Sequence, residues 1–269
     1  MKKLATALVS AAAIMTMSTT AFAAENPAEV VDRVMEKNNT IQSAEIQSGV
    51  HSVILAKDVI PDGQMKVDMA MHAEMDMQDT TDLKYLAQVA SSILGQDSYS
   101  QVFYTDGYYY VDANGVKLKY TMPLEQIISS VQTGVNTSNM ESSYMKGISL
   151  NEVNGKRVLA YEANPKKLNK NVKEALGTVM NTLGTDVNLD MNIQEMKGAY
   201  VLDDNDYIIY MTNWIVYNME VLDQPMTCIT LMETEVQNPG EPVVVTLPST
   251  DGYEDLIGLY DGVIESEVE

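Results

Sequence analysis

Cysteine is almost missing from this chain. Cys228 stands alone among 269 residues, so no disulfide can form within it and stability has to come from a buried core. Bases are scarce as well, 17 Lys and Arg against 38 Asp and Glu. That balance excludes binding driven by neutralising phosphates, hence nucleic acid, and it opposes adsorption to an anionic membrane by charge. Beyond the first residues, no stretch approaches the ~18 consecutive apolar residues of a membrane span. Also missing are a Gly-rich phosphate loop, a nucleophile elbow and a metalloprotease helix, so no reaction can be read from motifs.

What is present begins with a targeting pattern. Lys2 and Lys3 precede an apolar run from Leu4 to Met17, and Ala21-Phe22-Ala23-Ala24 supplies small residues for cleavage. Residues 1–24 are therefore expected to be a secretory signal. No cysteine lies near the cleavage site to accept a lipid, so the expected product is extracytoplasmic and not lipid-anchored, with no integral membrane segment once the signal is removed. Without Lys2 and Lys3 the 17 bases fall to 15, still against 38 acids, a charge that keeps an exported protein soluble. No linker rich in Pro, Gly or Ser divides the remainder. Residues 25–262 are expected to form one α+β domain, and residues 263–269 an acidic, frayed tail.

The organising stretch is Met65 to Met77. Met65, Val67, Met69, Met71, Ala73, Met75 and Met77 are apolar, while Lys66, Asp68, His72, Glu74 and Asp76 alternate with them. A period of two means a strand with one dry and one wet face. At ~3.3 Å per residue it spans roughly 40 Å, so a curved, large sheet is expected.

Around it, Asn26-Pro27 opens a helix with the stripe Val30, Val31, Val34 and Met35. A strand is expected from Glu45 to Leu55, and Leu83, Leu86, Ala87, Ala90, Ile93 and Leu94 recur at helical spacing before Gly95. Asp106-Gly107, Asn114-Gly115 and Asn154-Gly155 each sit between strand-like runs and suit two-residue hairpin turns. Pro123 starts a second helix with Leu124, Ile127, Ile128 and Val131, and Asn164-Pro165 a third with Leu168, Leu176, Val179, Met180 and Leu183. The last third alternates as a meander, with Ile209, Met211, Ile215, Tyr217 and Met219 interrupted by Asn213, and ends in a short strand over 243–247. The expectation is an α+β fold: a strongly curved antiparallel β-sheet with helices packed on its concave side.

This layout, with its aromatic hairpin Tyr104-Thr105-Asp106-Gly107-Tyr108-Tyr109, then Val153-Asn154-Gly155-Lys156, a helix, the strand pair around Asp203 to Asp206 and Leu247-Pro248, resembles the LolA/LppX-like superfamily of bacterial envelope proteins, and within it the Firmicute lipoprotein-like group. The resemblance covers essentially the whole chain after the signal. It implies an unclosed half-barrel holding an apolar cavity, with helices as a lid, that carries acyl chains. Met65, Val67, Met69, Met71, Met75 and Met77, with Leu176, Val179 and Met180 of the third helix, would then form the cavity wall. Lys166, Lys167, Lys170 and Lys173 would meet anionic headgroups at its rim.

The residues themselves leave three readings of the methionine face: packing beneath helices, a deformable wall for acyl chains, or soft thioether ligands for copper(I). Against copper, His72 points to the opposite face. His51 and His72 read as surface residues, Cys228 as a small buried group, and Asp203, Asp204 and Asp206 as a turn without the ligand pattern of a calcium loop. No cofactor is expected and no enzyme. The expectation is an exported carrier or sensor for a lipid or acylated ligand, the alternative an envelope protein with a filled core and a protein partner.

Overall fold

A computed structural model describes residues 25–56, 60, 62–79, 83–124, 140–170, 190–221 and 224–256. The expected signal, the second helix beyond Leu124, Lys173, Leu176, Val179, Met180 and the acidic tail lie outside the described residues. After one helix, α1 (Pro27–Asn38), come β1 (Ser43–Leu55), β2 (Gln64–Asp76), β3 (Lys84–Ile93), β4 (Gln96–Thr105), β5 (Tyr108–Ala113) and β6 (Val116–Thr121). A single 3-10 turn (Ser142–Tyr144) precedes β7 (Met145–Val153), β8 (Lys156–Ala163), β9 (Asp190–Leu202), β10 (Ile208–Val221), β11 (Gln224–Gln237) and β12 (Glu254–Asp255). Residues 165–170 form a second described helix, α2. All twelve strands belong to one unclosed sheet in the order β12-β6-β5-β4-β3-β2-β1-β11-β10-β9-β8-β7. The α+β class and the open antiparallel sheet expected from the sequence are therefore observed. One pair departs from that pattern: β12 runs parallel to β6, for two residues.

The chain divides into two compact units. The first takes residues up to Asn38, Gly49–Asp68 and Met140–Glu235; the second takes Asn39–Ser48, Met69–Asn139 and the residues from Val236. In the first, α1 packs on one face of the sheet. Asn26 caps it, its Oδ1 accepting from Ala28 N at 3.1 Å, and Val30, Val31, Val34 and Met35 are buried among Leu150, Leu159, Tyr200, Leu202 and Ile208. Each fully buried aliphatic side chain contributes about 1.5–3 kcal/mol, so this stripe outweighs the exposed ion pairs of the helix, worth ~1 kcal/mol or less apiece. In the second unit Leu86, Phe103 and Tyr110 stand in one cross-strand row. Val245 and Tyr253 pack onto it, with Phe103 and Tyr110 stacked at 4.6 Å and Tyr253 edge-on to both.

The three Asx-Gly hairpins form as expected, with φ of 53° and 80° at Asp106-Gly107, 51° and 88° at Asn114-Gly115, and 53° and 75° at Asn154-Gly155. Three expectations are corrected. The helix expected over 83–94 is strand β3, turning through Leu94-Gly95 (φ 52° and 75°) into β4. Its apolar residues occur at helical spacing because both faces of the strand are used, Leu86 packing on one and Ala87 buried on the other. Residues 243–247 join no ladder: Val243 N donates to Ser43 Oγ and Thr246 N to Glu74 Oε2, so side chains take the place of a neighbouring strand. Finally, a bulge at Ile209 turns Ile208, not Ile209, onto the core face beside Met211.

The C-terminal end of α1 is tied to the β9–β10 turn. Asn38 is buried; its Nδ2 donates to Val34 O and Asp206 O, and its Oδ1 accepts from Ile208 N at 3.0 Å. Asp206, at φ 67°, accepts from Arg33 Nε at 2.9 Å and from Arg157. Burial alone would raise its carboxyl pKa, but the two guanidinium hydrogen bonds outweigh burial and hold it below the usual carboxylate range. A pKa depressed by folding gives stability that is present above the unfolded value and lost as pH falls through the folded one. Asp206→Asn should therefore lower stability by about 2 kcal/mol at neutral pH, with the difference from wild type shrinking as pH falls through the acid range. Chemical denaturation at a series of pH values checks this; a constant difference at every pH would refute it.

Candidate ligand-binding faces

The core face of the first unit is built in rows across β8 to β11. One row runs Tyr161, Gly198, Asn213, Met232, each residue opposite the next. Beside it lie Leu159, Tyr200 and Met211, and on the other side Met196, Ile215 and Thr230. Further along come Ile193, Tyr217 and Cys228, then Met191, Met219 and Met226. A second bulge, at Gln194, lets Ile193 and Met196 share this face. Burial is uneven along it: Tyr200, Met211, Ile193 and Cys228 are buried, whereas Met196, Ile215, Tyr217, Met191, Met219, Met226 and Met232 are half-buried. Of the two described helices, α1 covers the buried end, and Leu168 of α2 joins the same core.

Strands β1 and β2 carry this face onward within the unit. Ser52 Oγ meets Thr230 Oγ1 at 2.9 Å, so the even residues Val50, Ser52 and Ile54 share the face of Ile215. His51 and Asp68 pair at 2.7 Å on the reverse side. Alternation along β2 then puts Met65 and Val67, both half-buried, on the apolar side.

Met69 to Met77 belong to the second unit. There His72 and Glu45 pair on the polar side, so the methionines lie on the opposite one. Met75 and Met77 are buried at 1 % and 2 %, but Met69 and Met71, expected to point into a core, are exposed at 41 % and 36 %. Alternation decides which side a residue faces, whereas burial depends on what packs over it, and among the described residues Met69 and Met71 stay open to solvent. A row of tyrosines, Tyr85, Tyr104, Tyr109 and Tyr120, crosses β3 to β6 on the face opposite Leu86 and Phe103. Burial, then the neighbouring phenols Tyr85 and Tyr120, push Tyr109 up to about 12, so it stays neutral at any physiological pH.

At the expected rim, Lys166, Lys167 and Lys170 are exposed on α2, whose first turn is capped by Asn164 Oδ1. Lys167 Nζ donates to Ser143 O at 2.7 Å. Asn169 clamps the helix to β9 through Ile193 N, Ile193 O and the Asn192 side chain.

The polar group in the middle of the apolar face escaped the sequence reading. Tyr161 OH donates to Asn213 Oδ1, Tyr200 stacks on Tyr161 at 5.0 Å, and the phenols hydrogen-bond to each other. Burial raises both pKa values, that of Tyr200 to about 12. Asn213 Nδ2 is buried without a partner among the described residues, as are Thr212 Oγ1 and Glu233 Oε2 on the reverse face. The visible signal was an Asn breaking an apolar alternation, but only the register shows that it faces a glycine.

Among the described residues no three His, Cys, Asp or Glu side chains form a metal-binding group, and no helix is long and apolar enough to cross a membrane. Fold and faces define an α+β protein on one open antiparallel sheet, with an apolar side in each unit. The chain belongs to DUF6612, a family of unknown function whose model matches residues 26–248. No curated protein matches it. Among solved structures it is similar to LprF from Mycobacterium bovis, at 12% identity over 84% of this chain and 100% of that one, with a TM-score of 0.35. It is also similar to the lipoprotein LppX of Mycobacterium tuberculosis, at 9% identity over 82% and 100%, with a TM-score of 0.34. With TM-scores this low, these likenesses carry no statement about ligands.

Gly198 makes a sharp test of this face. A Cβ built there would stand 2.5 Å from Tyr161 Oη and from Asn213 Oδ1, so the Tyr161 ring occupies the place of a side chain. Gly198→Ala should cost about 1–3 kcal/mol through overpacking, and Tyr161→Phe a similar amount by leaving Asn213 Oδ1 buried without its donor. Thermal melts of the two variants check this, and an Ala variant as stable as wild type would show that the ring does not sit there.

Proposed function

We propose that the protein is an exported, non-enzymatic carrier or sensor that holds a lipid or acylated ligand against its apolar faces. The observation that supports this reading is the half-buried apolar stretch of the first unit: Met191, Met196, Ile215, Tyr217, Met219 and Met226 continue a packed core without being fully buried themselves. Methionine suits such a surface, because an unbranched thioether repacks around chains of different shape. Each methylene of an acyl chain laid on it gains about 0.8 kcal/mol, so a chain of ten or more carbons offsets the cost of ordering.

In this reading Met65, Val67, Met69, Met71, Met75 and Met77 contribute ligand contacts, as do Leu176, Val179 and Met180. Lys166, Lys167, Lys170 and Lys173 meet an anionic headgroup; as charged side chains they steer and select more than they hold. Release into the extracytoplasmic space follows from the signal at 1–24, and the alternative partner is a protein of the cell envelope.

A cross-link tests whether α2 is the moving part. Asn169 Nδ2 lies 2.7 Å from Asn192 Oδ1, so cysteines at 169 and 192 lie within reach of a short, reducible thiol–thiol cross-linker that ties α2 to β9. In a Cys228→Ala background, uptake of a fluorescent fatty acid should be low when cross-linked and recover on reduction. Equal uptake in both states would remove α2 from the mechanism. No uptake by the wild type, together with no lipid in native mass spectra of the secreted protein, would overturn the carrier reading in favour of a protein partner.

A further inference from the structure

We infer that the far end of the β9–β11 face is a site for a soft monovalent metal ion, copper(I), built from Cys228, Met219, Met191 and Met226. Met191, Met219 and Met226 stand opposite one another on three adjacent strands, so their side chains leave the sheet on one side. Cys228 is two residues from Met226 on the same strand and therefore shares that side. Four sulfur-bearing side chains thus leave the same side of three adjacent strands, with sequence separations that run from two residues to more than thirty. Sulfur meets sulfur directly: Cys228 Sγ lies 3.6 Å from Met219 Sδ. Two sulfurs each about 2.3 Å from one ion stand roughly 3.7 Å apart at a tetrahedral angle. The pair is therefore already spaced as two ligands of one ion. Directly opposed residues on neighbouring strands have Cβ atoms about 4.5–5.5 Å apart, and the long methionine side chains close that gap readily.

Ligand chemistry selects the ion. One thiol and three thioethers, with no histidine or carboxylate from this row, form a soft set that suits copper(I) and disfavours zinc(II), calcium and copper(II). The environment agrees. Cys228 is fully buried while Met191, Met219 and Met226 are half-buried, so an ion reaches the thioethers first and the thiol last. Binding at Cys228 is a substitution: a copper–sulfur bond forms, the S–H bond breaks and the proton leaves to solvent. Copper stays in the +1 state and no electron moves. This site lies on the same half-buried stretch as the proposed ligand face but needs no lipid, and it uses other methionines than those of β2.

The experiment is an anaerobic competition of the purified full chain with a chromogenic copper(I) chelator, with zinc(II) as a second probe. The expected result is one copper(I) per chain, no zinc(II) binding, and X-ray absorption reporting sulfur ligands alone. Met219→Leu conserves volume and should weaken binding about tenfold. Cys228→Ser should weaken it a hundredfold or more, whereas Met69→Leu combined with Met71→Leu should leave it unchanged. Thermal melts establish that each variant is folded. Failure of the wild type to compete, equal uptake by the Cys228→Ser and Met219→Leu variants, or loss of copper only with Met69 and Met71 would each overturn the assignment.

Discussion

Burial of four side chains of α1 is the interaction on which the first unit depends. With no disulfide, nothing covalent holds the N-terminal helix to strands more than a hundred residues later. Val30, Val31, Val34 and Met35 do that work by leaving water together against Leu150, Leu159, Tyr200, Leu202 and Ile208. The polar contacts at the helix end act differently. Asn38 satisfies backbone groups of α1 and of the β9–β10 turn that the packing would otherwise bury unpaired, and so decides where the helix sits on the sheet more than how firmly. Apolar area supplies the stability and hydrogen bonding supplies the registration.

The same division governs the apolar face. Its methionines supply area without a fixed shape, and one polar row is set into it. Tyr161 lies over Gly198 because a glycine leaves room for the ring, and its hydroxyl then finds Asn213 on the next strand. An adaptable surface is thereby pinned at one point. Tyr200, stacked on Tyr161, extends that rigid point toward the helix side.

Much of this was legible in the sequence where local chemistry dictates local geometry. Asx-Gly dipeptides need positive φ, so three hairpins could be read directly. Asn26-Pro27 and Asn164-Pro165 cap helices for reasons confined to a few residues. The failures share a different cause. Leu94-Gly95 places a bulky residue at φ 52°, so the hairpin is stabilised by the nine-pair ladder behind it and not by the turn, and periodicity alone could not show that. Bulges at Ile209 and Gln194 change which residue faces the core, and alternation cannot anticipate a skipped position. For the candidate faces, the strand carrying Met65 to Met77 was visible because its residues are contiguous. The Met191, Met219 and Met226 row was not, because it exists only once three strands are in register.

An open sheet of this size has two edges, and unpaired edge strands recruit other strands. At one edge β6 is paired by β12 for only two residues, and both of them, Glu254 and Asp255, are acidic. A second molecule extending the ladder there would have to lay its backbone along a short strip of like charge. At the other edge β7 opens with a register shift between Met145 and Gly147, which bends the strand away from the flat geometry a partner needs. The fragment that breaks the antiparallel rule thus acts as a stopper: it ends the sheet chemically where the fold does not end it by closure, and keeps a chain rich in strands from polymerising edge to edge.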